Sequence, residues 1–125
     1  TGRQFSFPDC QRNRSGNANF KTQIVNYPVQ SVATAEIVPL GVILLFNKLK
    51  EKGLQSVVIN TVHDSVWIDT HPDEIDIVKE VGPQCLLDAQ DEAKKRFGLP
   101  DYIPLEVEMS YRKNWMDQEN LNVSV

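Results

Sequence analysis

The sequence predicts an α+β fold, with an antiparallel sheet built from a β-hairpin and a C-terminal strand and helices packed on one of its faces. Three observations carry this. Two β-rich runs, Gln55–Val62 and Val66–Asp69, are separated by a very short polar connection. Two long stretches with apolar residues at helical spacing flank that pair, one before it and one after. Near the end, Leu105, Val107 and Met109 alternate with Glu106 and Glu108, a strand with one wet face.

Taken in order, residues 1–21 form an irregular basic segment. Arg3 to Phe7 alternates and predicts a short edge strand ended by Pro8. Arg12 to Asn19 is rich in Asn, Gly and Ser without an apolar period, which predicts an exposed loop. Tyr27-Pro28 then restricts the backbone, and Ser31 or a neighbour caps a helix over roughly 31–52. Its apolar positions are Ala33, Ile37, Leu40, Ile43, Leu44 and Leu49. Pro39 should kink it, because proline removes a donor and clashes with the preceding turn. Lys48, Lys50 and Lys52 favour its C-terminal dipole, and Gly53 supplies the stop.

The hairpin follows with His63-Asp64 at its tip, where a carboxylate is exposed to whatever lies above the sheet. That placement suits a metal ligand; an aspartate in such a turn can equally satisfy local backbone donors. Pro72 with Asp73 and Glu74 marks the start of a second helix. Its buried stripe is Ile75, Val78, Cys85, Leu86, Ala89 and Ala93 through about Phe97, either as one helix kinked at Gly82-Pro83 or as two short ones. Gly98 to Pro100 ends it. Phe46, Leu44 and Trp67 are assigned to the core, and Trp115 to packing against the sheet.

With 125 residues, 41% of them hydrophobic and 24% charged, the chain has the composition of an ordinary globular unit with one modest core. No uninterrupted apolar run approaches the roughly 18 residues needed to cross a bilayer, so no membrane partner is expected. No secretory signal pattern opens the sequence, which together with two widely spaced cysteines, Cys10 and Cys85, predicts reduced thiols and a cytoplasmic location. The net charge of −4 hides an uneven distribution. Residues 1–30 hold four basic residues, Arg3, Arg12, Arg14 and Lys21, against Asp9 alone. The remainder holds nine basic and sixteen acidic residues. A basic segment on an acidic body fits a protein that touches a phosphate backbone along one edge, and equally a solvated basic loop.

Three pieces stand in order at helix-length intervals: Asn26-Tyr-Pro-Val-Gln30, Val62-His-Asp-Ser65, and Pro104-Leu-Glu-Val-Glu108 followed by Asn114-Trp115. This order resembles the C-terminal palm of family A DNA polymerases, of phage or bacterial type, from about Gly2 to Trp115. The resemblance implies that residues 22–115 are palm core and 116–125 a tail, the whole being a partial domain. It implies that Asp64 is the motif C metal aspartate and that the neighbouring His63 packs near the primer terminus; a satisfied turn histidine is the alternative. Asn26 and Gln30 match positions that contact primer or template in the minor groove, where the degenerate hydrogen-bond pattern suits a sequence-blind enzyme; helix-entry capping is the alternative. Arg12, Arg14 and Lys21 become phosphate contacts, individually weak and together salt-dependent.

The resemblance further implies Mg²⁺ as cofactor, in a two-metal site shared with a motif A carboxylate, and primer–template DNA and dNTP as partners. The sequence given holds no counterpart of motif A or of the fingers helix, so it is expected to be inactive alone and to aggregate without the remainder of the polymerase, whether in cis or as a separate chain. Thr1 enters the pattern mid-fold, as expected of a fragment, a split subunit or a post-intein segment. Three departures stand out. Ser65 replaces an accessory Glu, Ser31 replaces a Gly, and Thr22 replaces a DNA-contacting Arg for which Lys21 is a neighbouring substitute. A histidine-aspartate-serine triplet also occurs in the related single-subunit RNA polymerases, and a non-catalytic palm that only binds DNA or a partner is the remaining alternative.

Overall fold

The computed structural model describes residues 2–98 and 106–114, and the backbone of 119–124. The order of elements is α1 (Lys21–Ser31), a π-helical turn (Val32–Ile37), α2 (Val38–Glu51), β1 (Val57–Val62), β2 (Ser65–Asp69), a 3-10 turn (Pro72–Glu74), α3 (Ile75–Phe97), β3 (Glu108–Tyr111) and β4 (Glu119–Ser124). The α+β class holds. Sheet connectivity differs from expectation: β1 pairs with β2, and β3 pairs with β4 instead of joining the hairpin, giving two separate antiparallel pairs. β4 falls in the stretch read as a tail. Leu99 to Leu105 and Trp115 lie outside the described residues, so the predicted roles of Pro100, Leu105 and Trp115 do too.

The first helix begins ten residues before its expected start. Phe20, in the left-handed region at φ 59°, precedes it, and Ser31 lies inside the helical run with no capping hydrogen bond. Pro28 therefore sits within α1, where it deprives the Ile24 carbonyl of its helical donor. Neither proline breaks the helix, because the π turn absorbs the second one. The Val38 N–H donates to the Ala33 carbonyl, five residues back, which opens the turn just before Pro39 where its ring would otherwise crowd the Ala35 carbonyl. The Thr34 hydroxyl donates to the Gln30 carbonyl at 2.9 Å, a further side-chain intrusion into the same stretch. By length and composition alone, the continuous run Lys21–Glu51 would suffice to cross a bilayer, which a count of consecutive apolar residues misses. The packing of α2 on α3 covers only part of that apolar content, Val38, Leu45 and Leu49, and leaves Val25, Val29, Ile43 and Phe46 exposed.

That packing is the core. Leu45 and Leu49 of α2 meet Val78, Val81 and Cys85 of α3, with Leu44, Leu54, Val58, Val66, Ile68 and Met109 around them. Gly41 and Leu86 mark a close approach of the two helices, and α3 runs unbroken through Gly82-Pro83, both buried. Cys85 is a free, buried core cysteine, and burial raises its thiol pKa. Ile43, 55% exposed, and Ala33, exposed, leave the predicted buried stripe, and Phe46, assigned to the core, is 57% exposed. The helix ends as predicted, in a Schellman closure: Gly53 at φ 67° donates to the Lys50 carbonyl and Leu54 to that of Leu49.

No strand forms at Arg3 to Phe7. The alternation there serves a different surface, since Phe5 and Phe7 both pack on Tyr27 of α1, with ring centroids 6.4 and 5.4 Å away. Arg3 anchors the same segment through two guanidinium nitrogens to Glu36 Oε1, at 3.2 and 3.1 Å. The loop at 12–19 is exposed and closes on itself. Asn13 Oδ1 accepts from the Ser15 and Asn17 N–H groups, and Arg12 bridges Ala18.

Candidate functional site

The hairpin is the best-formed part of the candidate site. Its register runs from Val57↔Asp69 to Val62↔Ser65, with a bulge between Val58 and Asn60. That leaves His63 and Asp64 as a two-residue loop. His63 takes φ 55°, the positive value that matches the twist of tight hairpins. The Ser65 hydroxyl donates to the Val62 carbonyl at 2.8 Å, so it closes the turn from within. Thr61 through Ser65 are all exposed, and the Asp64 carboxylate stands clear of the core.

What fixes this hairpin is at its opposite end. The Glu74 carboxylate accepts from the Gln55 N–H at 2.9 and 3.1 Å, from the Ser56 N–H at 2.9 Å and from the Ser56 hydroxyl at 2.5 Å. Ser56 Oγ in turn accepts from the His71 N–H at 3.1 Å. His71 caps the 3-10 turn, its Nδ1 accepting from the Asp73 N–H at 3.4 Å. Three donors hold the Glu74 carboxyl below the usual carboxylate range, the Gln55 N–H first and the Ser56 hydroxyl next. From the sequence, Glu74 is one of three acids near a helix start. Nothing in the spacing singles it out from Asp73 and Asp76.

The other candidate residues occupy α1 and the segment before it. Asn26 and Gln30 are one turn apart on an exposed helix face, and their place inside α1 removes helix-entry capping as their role. Lys21 is the first residue of that helix, and Arg12 and Arg14 sit on the exposed loop. Phe46, Val57, Ile59 and Val62 leave apolar surface exposed on the hairpin and the adjoining helix. Trp67 is half-buried, with the Arg112 guanidinium 5.9 Å from its ring.

Among the described residues, no group of three or more His, Cys, Asp or Glu side chains stands close enough to hold a metal ion. Asp69 pairs with Val57 at the far end of the ladder from the tip, so it does not complete a site with Asp64. Asp64 offers one oxygen donor. That fits a cation such as Mg²⁺, which keeps several waters and takes few protein ligands, provided that a second carboxylate comes from elsewhere.

A family model described as DNA polymerase family A matches residues 1–117. The chain is 28% identical to DNA polymerase I of Aquifex aeolicus (strain VF5) over 102 residues, covering 82% of this chain and 17% of that protein. It is 36% identical to DNA polymerase I of Caldicellulosiruptor bescii over 93 residues, covering 74% of this chain and 10% of that protein. A DNA polymerase of Bacillus phage SP01 is 29% identical over 119 residues, 94% of this chain and 13% of that protein. The chain thus spans well under a fifth of the length of each relative. No solved structure gives a significant match. With the family model matching nearly its whole length, the chain belongs to DNA polymerase family A.

Proposed function

We propose that this chain is the C-terminal palm portion of a DNA-directed DNA polymerase, and that Asp64 is its motif C metal ligand. One observation carries the reading: a two-residue hairpin tip presents an exposed aspartate next to a histidine, inside the region that the family model matches. Asp64 would hold Mg²⁺ together with a motif A carboxylate from the rest of the enzyme. Bound there, the metal pair would activate the primer hydroxyl and bear the charge of the dNTP triphosphate. The chain's own part is positional. The hairpin aims the carboxylate, and the exposed tip lets substrate approach without displacing core side chains.

Asn26 and Gln30 share a helix face with amide groups directed outward, which suits hydrogen bonding to base edges in the minor groove of primer–template DNA. Arg12 and Arg14 on the exposed loop and Lys21 at the start of α1 would supply positive charge for the phosphates. Ser65 bonds within its own turn, so in this reading it supports the tip and is not a direct accessory ligand. Activity, DNA binding and dNTP use belong to the assembly that contains motif A and the fingers, acting in the cytoplasm of a bacterium or a phage-infected host. The test is templated primer extension by that assembly with Asp64 intact or replaced.

A further inference from the structure

We propose that Glu74 is a positioning residue for polymerisation, acting through Ser56 to set the direction in which the hairpin presents Asp64. The inference rests on the reading of Asp64 as a metal ligand.

The hairpin packs on the core through one face, and on the other only Trp67, beside Arg112, is partly covered. Val58, Val66 and Ile68 pack toward the helices, while Val57, Ile59 and Val62 are exposed. Beyond Thr61 the tip residues are all exposed and none belongs to the core cluster, so its orientation is set chiefly from the base. At the base, the last ladder pair is Val57↔Asp69. Just outside it, Ser56 is 2% exposed and makes the connection that the ladder no longer supplies. Its hydroxyl donates to Glu74 and accepts from the His71 N–H, tying the residue before β1 to the segment after β2. Glu74 immediately precedes α3, the helix that carries Val78, Val81 and Cys85 of the core, so the clamp fastens the hairpin to a helix anchored in the core.

Geometry makes this consequential. Six strand residues at about 3.3 Å each put the tip roughly 20 Å from the clamp. Rocking of about 3° at the base then moves the tip carboxylate by about 1 Å, a displacement that can cost on the order of a hundredfold in rate. The depressed pKa keeps Glu74 ionised, and therefore an acceptor, at neutral pH.

The experiment is steady-state primer extension with the complete polymerase assembly, well below its Tm, with a Mg²⁺ titration for each variant. Glu74→Ala is expected to lower kcat at least tenfold and raise the Mg²⁺ requirement, while the KM for dNTP and the Kd for primer–template stay within twofold. Glu74→Gln keeps an oxygen acceptor and is expected to recover most of the loss. Ser56→Ala is expected to lower kcat in the same way by a smaller factor, and it serves as the second arm should Glu74→Ala not fold. Val78→Ala destabilises the same region without touching the clamp, and is expected to keep kcat. Unchanged kcat in Glu74→Ala and Ser56→Ala, or an equal loss in Val78→Ala, overturns the proposal. Asp64→Asn is run in parallel. If it extends primers normally, the reading of the tip fails and the inference falls with it; if it is inactive while the clamp variants are normal, only the inference fails.

Discussion

Gly41 on α2 faces Leu86 on α3 so closely that a Cβ added at Gly41 would overlap the Leu86 Cδ2 methyl. The Leu86 Cα lies 3.5 Å from the same point, in ordinary contact, so the fixed backbone bounds the space on that side. Glycine is poor in a helix interior by about 1 kcal/mol relative to alanine, so contact between the helices, and not propensity, explains its presence. Gly41→Val is expected to destabilise by about 1–3 kcal/mol, because its branches meet both the Leu86 side chain and its backbone. Gly41→Ala should cost less, since one methyl can move. Urea unfolding of the complete polymerase, or of any portion shown to fold, measures both.

Leu45 and Phe46 are adjacent on α2 and differ fully in environment, at 1% and 57% exposed. Leu45→Ala is expected to lose about 2–5 kcal/mol through lost contacts and a cavity. Phe46→Ala should lose less than about 1 kcal/mol. Equal losses in thermal unfolding would mean that Phe46 is covered in the assembly.

His63 holds a backbone conformation that histidine adopts only occasionally. His63→Val is expected to destabilise the hairpin by about 1–3 kcal/mol, since a β-branched residue resists positive φ. His63→Gly should change stability by no more than about 1 kcal/mol, its backbone relief offset by a freer unfolded chain. Hydrogen exchange of the β1 and β2 amides reports the difference. A large loss of primer extension in a stable His63→Gly variant would assign the imidazole a role in the reaction itself.

Acid should loosen the hairpin base. The folded-state pKa of Glu74 is depressed, chiefly by the Gln55 N–H and then by the Ser56 hydroxyl. Its contribution to stability is therefore complete above the unfolded value of about 4.3 and is lost as pH falls through the lower folded value. Tm is expected to drop below about pH 4.3 more steeply in the parent than in Glu74→Gln, which has no such carboxylate to protonate. Parallel curves would show that the clamp contributes nothing to the acid limb.

The hairpin is legible in the sequence because its two β-branched runs leave a gap of only two polar residues, and few geometries satisfy that spacing. The start of α3 is legible from Pro72 and the acids after it, and the end of α2 from Gly53. The start of the first helix is not, because Pro28 and Pro39 read as boundaries, whereas the π turn at Val32–Ile37 accommodates one and α1 encloses the other. The exchange of strand partners, with β3 pairing β4, depends on tertiary placement that alternation cannot express. At the site, Asp64 and His63 stand out by chemistry and position. Glu74 does not, because its role comes from four hydrogen bonds to residues nearly twenty positions earlier.

The central claim is that Asp64 holds catalytic metal in a family A polymerase. The most direct measurement is single-turnover primer extension by the complete assembly that carries this chain, comparing Asp64 with Asp64→Asn at equal DNA occupancy. The account predicts that nucleotide incorporation falls by at least a hundredfold in the variant, while the primer–template Kd changes by less than threefold. Incorporation within a few-fold of the parent would contradict it.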